Sequence, residues 1–165
     1  MSDLEFSSAG ALVGWAFQIE RGVICATSRL GKTDVGRYPD LSPYDAHAQA
    51  AMVTGAVNEL EFGPRTALLA KYHRGEENIL VAAELVSAAL DRDVSRAALR
   101  ECVRYWIDDE DAATTAMIGE LAGVSQSTGG RIRRRVMQTL DRLRHQGLDV
   151  IEARFSELLC GRAAA

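Results

Sequence analysis

Between Gln126 and Arg142 the chain gathers side chains built for polar contacts: Gln126, Ser127, Thr128, Arg131, Arg133, Arg134, Arg135, Gln138 and Arg142. Three of the arginines are consecutive. A guanidinium is planar, permanently charged, and presents parallel N–H donors to any pair of acceptors. It therefore suits phosphate oxygens and the guanine edge alike. At about 100° per residue of helix, Ser127, Arg131, Arg134 and Gln138 fall together on one side. Gln126 stands near the helix start, from which side chains reach base edges. Arg133, Arg135, Arg142 and Arg144 flank that side and are expected to hold phosphates. Position thus separates residues placed to read from residues placed to hold.

The elements around these residues are legible. "AATTAMIGELAG" predicts a short helix, Gly123 a left-handed turn residue, and Ser125 the N-cap of the next helix. Val124 is expected to tuck between the two. Ile132, Val136, Leu140 and Leu143 give the second helix one apolar side. A helix, a short glycine-containing turn and a second helix form the layout of a helix-turn-helix, whose second helix enters the major groove.

Upstream, Leu12, Trp15, Phe17 and Ile19 predict one short helix, followed by a Gly/Ser/Asp/Pro-rich loop over 28–43. From Tyr44, a four-residue repeat of Ala48, Met52, Ala56 and Leu60 predicts a helix with that apolar face. Gly63 is expected to end it and Pro64 to open the next, which runs to Gly75 as its stop. "ENILVAAELVSAALDRD" predicts a further helix. Ser95 caps another, with Leu99, Cys102, Val103 and Trp106 as its buried stripe. The four acids Asp108 to Asp111 read as a solvated link. No alternating strand pattern of any length appears. The predicted fold is all-α, a helical bundle with a C-terminal helix-turn-helix.

Net charge is divided unevenly. From residue 112 onward there are eight arginines against five acids, +3; residues 1–111 hold eleven basic and eighteen acidic residues, −7, for a total of −4. An acidic helical body over 1–111 and a basic region over 112–165 imply that one end meets a polyanion while the other repels it.

Other classes find little support. His47, His73 and His145 are scattered, and neither a His-Glu-x-x-His nor a Gly-x-Ser-x-Gly pattern occurs. Cys25, Cys102 and Cys160 have neither zinc spacing nor an even count, and Cys102 lies on an apolar stripe. The expectation is a protein without enzyme activity, cofactor or metal. No run approaches the roughly 18 apolar residues of a membrane span, and "MSDLEF" lacks the charge and apolar pattern of a signal peptide. A cytoplasmic location without membrane contact is expected. The remaining rival is a helical protein-interaction module whose arginine-rich helix docks on another protein.

The segment "ELAGVSQSTGGRIRRRVMQTLDRLRHQGLDVIEARF" resembles the C-terminal helix-turn-helix of sigma factors, region 4. Gly119 matches the small residue at the helix crossing, Gly123 the turn glycine, and Ile132 the branched residue on the second helix. Gly129 departs, standing where the family carries a branched apolar residue. With Gly130 behind it, the departure implies a helix that starts late or a first turn that orders only on DNA. Over more of the chain, "GWAFQIERG", "YPDLSPYDAHAQAAMVTGAVNEL" and "ALLAKYHRG" stand in the order of features of phage Q-type late-gene antiterminators. That resemblance implies a double-stranded DNA site beside a late promoter, RNA polymerase as partner, and passage of polymerase through terminators. Oligomeric state stays open: a dimer implies half-sites about 10 bp apart, whereas sigma-like readers act as asymmetric partners of polymerase.

Overall fold

The computed structural model of the chain describes residues 6–22, 43–90, 93–108 and 114–159. The expected loop over 28–43 (save Pro43), the boundary between 111 and 112, and three of the four linked acids lie outside them. The described residues form seven α-helices: α1 Ala9–Glu20, α2 Pro43–Asn58, α3 Phe62–Leu68, α4 Glu76–Ala88, α5 Arg96–Ile107, α6 Thr115–Leu121 and α7 Gln126–Arg154. A π turn, Leu69–His73, extends α3, and a 3-10 turn, Ser156–Leu158, follows α7. Among the described residues the β pairing is one isolated bridge between Phe6 and Leu159. The fold is all-α.

Contacts divide the chain into two compact units, one of residues 1–60 with 147–165 and one of residues 61–146. In the first, α1 is apolar nearly all round and buries Leu12, Val13, Trp15, Ala16, Phe17 and Ile19. Phe6 packs on Trp15 with ring centroids 5.2 Å apart, and its N–H donates to the Leu158 carbonyl at 2.9 Å. The buried side of α2 is Ala50, Val53, Thr54 and Val57, spaced i, i+3, i+4, i+7. This corrects the expected face. Ala56 is buried, but Ala48 is exposed and Met52 is 64% exposed. Alanines occur on both sides of α2, so a four-residue repeat does not select one. Val53 and Val57 remove more apolar area from water, and the Thr54 hydroxyl can be buried because it donates to Glu20.

The second unit has one continuous core. Ala67 and Ala70, then Ile79, Ala82 and Val86 of α4, meet Leu99, Cys102, Val103 and Trp106 of α5, Ile118 of α6, and Ile132, Val136 and Leu140 of α7. Ser95 caps α5 as expected, its hydroxyl accepting from the Ala98 N–H at 3.3 Å. Two punctuation marks fall elsewhere than expected. Gly63 and Pro64 lie in the first turn of α3, where N–H groups have no intrahelical acceptor and a proline costs nothing. Gly63 also admits the Leu143 side chain, since a Cβ there would meet Leu143 Cδ2 at 3.1 Å. At the other end, the left-handed residue is Arg74, φ 56°, and Gly75 is the N-cap of α4. The Arg74 N–H closes the wide turn onto the Leu69 carbonyl, and its guanidinium pairs with Asp108 at 3.0 Å.

Candidate nucleic-acid interface

Thr114 opens α6, its hydroxyl accepting from the Met117 N–H at 3.2 Å. Ile118 is fully buried and anchors α6 to the core. At the other end of α6, the Ser95 hydroxyl donates to the Leu121 carbonyl at 2.6 Å, so one serine both caps α5 and holds α6. Gly123 then takes φ +64°, the Val124 N–H returns to the Gly119 carbonyl at 2.8 Å, and Val124 packs partly buried on the core. Ser125 caps α7 by accepting from the Thr128 N–H at 3.3 Å. The turn between α6 and α7 has the residues and roles expected of it.

Gly129 has a structural cause. α7 begins at Gln126 and passes through Gly129 and Gly130 without interruption. The helix therefore starts on time, against the late start inferred from the paired glycines. A Cβ on Gly129 would lie 2.6 Å from the Gly119 nitrogen and 2.7 Å from the Thr115 carbonyl oxygen. On Gly119, a Cβ would meet the Val124 and Ser125 carbonyl oxygens at 3.0 and 3.1 Å. α6 and α7 thus cross backbone to backbone, glycine against glycine. A branched side chain has no room there.

With Ile132, Val136 and Leu140 buried, the opposite side of α7 is fixed. Ser127, Arg131, Arg134 and Gln138 are all exposed along it, and Arg142 and Arg135 beside it are exposed too. Gln126 is exposed, its amide donating to the Thr115 hydroxyl at 3.3 Å. Thr128 is half-buried and accepts from the Arg131 guanidinium at 3.1 Å.

The arginines are not equivalent. Arg133 is half-buried and lies 4.6 Å over the Tyr105 ring. Arg144 faces Asp141 at 3.6 Å and acts on Tyr72, whose phenol burial pushes above its ordinary range while Arg144 pulls it back. Asp141 also accepts from the Trp106 indole at 2.9 Å. Within the same unit, Arg74, Arg96, Arg100 and Arg104 each face a carboxylate within 3.0 Å. Arg131, Arg134 and Arg142 have no carboxylate within ion-pair distance among the described residues. These three stand on one helix face.

Two groups of this arrangement escaped sequence reasoning. Thr115, eleven residues before Gln126, carried no signal. The i, i+3 steps from Ser125 to Thr128 to Arg131 could have disclosed the hydroxyl chain. Among the described residues no three His, Cys, Asp or Glu side chains come together as metal ligands, and no helix is long and apolar enough to cross a membrane. Burial drives the Cys102 thiol up to about 12, which leaves it protonated within the core. No protein-family model and no curated protein matches the chain.

Proposed function

We propose that the chain is a sequence-specific DNA-binding transcription regulator that reads the major groove with the first half of α7. The carrying observation is the row of Arg131, Arg134 and Arg142, which face no carboxylate among the described residues, beside exposed Ser127 and Gln138 on one helix face. At 1.5 Å per residue, Ser127 to Arg134 spans about 10 Å, comparable to a major groove about 12 Å wide. Arg142 lies about 12 Å further along, at the distance of flanking phosphates. α6, the left-handed Gly123 turn and the glycine crossing support α7 as the second helix of a helix-turn-helix. The fold alone would not carry this reading; the charge distribution does.

By the resemblance to sigma region 4 and the Q-type antiterminators, the regulator joins RNA polymerase beside a late promoter and carries it past terminators. Selection of bound duplexes from a random pool, using the full chain, tests the first part. One enriched motif, with affinity falling steeply between low and moderate salt, is the expected result. Binding that ignores both sequence and salt favours the protein-interaction module. In a purified transcription assay, readthrough of a terminator should depend on that motif lying near the promoter. Altered initiation without readthrough supports a plain activator or repressor instead.

A further inference from the structure

Ser125, Thr128 and Arg131 stand at successive i, i+3 positions at the start of α7, and their polar groups form one chain. The Ser125 hydroxyl accepts from the Thr128 N–H at 3.3 Å and lies 3.1 Å from the Thr128 hydroxyl. Thr128 Oγ1 accepts from Arg131 Nη2 at 3.1 Å. The N-cap is fixed by backbone geometry, so its order passes through Thr128 to the guanidinium. An exposed arginine on a helix ordinarily samples many rotamers. Arg131 is exposed, yet it is tied at one end.

A guanidinium carries five N–H donors. Thr128 takes one of the two on Nη2, which leaves one two-pronged fork of parallel N–H groups intact. In the major groove guanine alone presents two acceptors, N7 and O6, side by side on one base. Adenine and cytosine each present a donor that would oppose the fork. We propose that Thr128 is a positioning residue that holds Arg131 for the N7/O6 edge of one guanine in the DNA site. The inference rests on the DNA-binding reading above and names the base that this part of the site recognises.

The test uses the full chain and a duplex selected by it, with each guanine replaced in turn by 7-deazaguanine, which lacks the N7 acceptor. Wild type should lose about tenfold in affinity at one guanine, the size of one base-reading contact. Thr128→Val keeps the branched shape and the Ser125 cap but removes the hydroxyl. It should shrink that penalty severalfold, and its loss of affinity should be larger on the selected duplex than on random DNA. Thr128→Ser should restore the penalty. In the Arg131→Ala background, Thr128→Val should change nothing further. DNA binding with the full guanine penalty retained in Thr128→Val overturns this inference alone. So does a Thr128→Val loss equal on specific and random duplexes, which would place Arg131 on a phosphate. Failure of the wild-type chain to bind DNA overturns the functional reading and this inference with it.

Discussion

Gly129 of α7 faces Gly119 of α6 so closely that a Cβ on Gly129 would sit 2.6 Å from the Gly119 nitrogen. The neighbour is backbone, which cannot rotate aside as a side chain can. Only a pair of glycines permits this crossing, and the crossing decides where Gln126, Ser127 and Arg131 stand. Gly130, the next residue, is different: its Cβ would meet Thr115 Cγ2 at 3.4 Å, an ordinary contact.

Adjacent glycines should therefore respond with opposite signs. Gly130→Ala should stabilise the chain by up to about 1 kcal/mol through helix propensity. Gly129→Ala should destabilise it by up to about 2 kcal/mol, because overpacking against backbone, about 1–3 kcal/mol, outweighs the same propensity gain. Thermal unfolding of the two variants checks this. A higher Tm for Gly129→Ala would mean that the crossing is not tight.

Arginines on α7 should separate into two groups. Arg134→Ala and Arg142→Ala should leave stability near wild type, and Arg142→Ala should lower the salt slope of DNA binding by about 0.9. Arg134→Ala should also relax sequence preference, by about 1–3 kcal/mol at its base. Arg144→Ala should mainly destabilise, since it takes the guanidinium away from half-buried Tyr72 and Asp141. Paired denaturation and salt-titrated binding curves distinguish the groups. Equal slopes for all three variants would contradict the division.

Lys71 crosses to the end of α5, donating to the Trp106 carbonyl at 2.6 Å and the Ile107 carbonyl at 3.0 Å, with its ammonium 5.1 Å over the Trp106 ring. Burial holds its pKa below the ordinary lysine value, with Arg144 and Arg74 adding to the effect. Lys71→Met keeps the stem and strips the donor from two terminal carbonyls. A loss of about 1–3 kcal/mol is expected from chemical denaturation, with a changed tryptophan emission in the native state.

Alkaline pH should weaken the fold through Cys102. Its thiol ionises at 9.0 ordinarily and at about 12 in the folded chain, chiefly through burial. Below pH 9 both states keep the proton and the stability is fully present. Between 9 and 12 the unfolded chain ionises while the folded one does not, so unfolding gains ground. Denaturation in reductant at pH 8 and at pH 10.5 should show the loss, which Cys102→Ala should reduce. In a Cys25→Ser, Cys160→Ser variant at pH 8, a thiol reagent should label Cys102 only as the chain unfolds. Rapid labelling of the native chain would refute its burial.

Sequence alone determined what depends on near neighbours. The order of helices, the caps at Ser95 and Ser125, the left-handed Gly123 and the Ile132–Val136–Leu140 side of α7 follow from propensity, capping chemistry and a 3.6-residue period. So does the exposed row from Ser127 to Gln138, because the buried side of a helix fixes its opposite. Tertiary structure decided what depends on residues distant in the chain. Which side of α2 packs was undecidable from its alanines. The need for glycine at 129 appears only when Gly119, ten residues away, lies against it. Arg133 and Arg144 look like their neighbours in sequence, and differ because Tyr105, Tyr72 and Asp141 meet them. A cation's availability is set by the partner that packing brings within about 4 Å, and the local pattern around it carries no record of that partner.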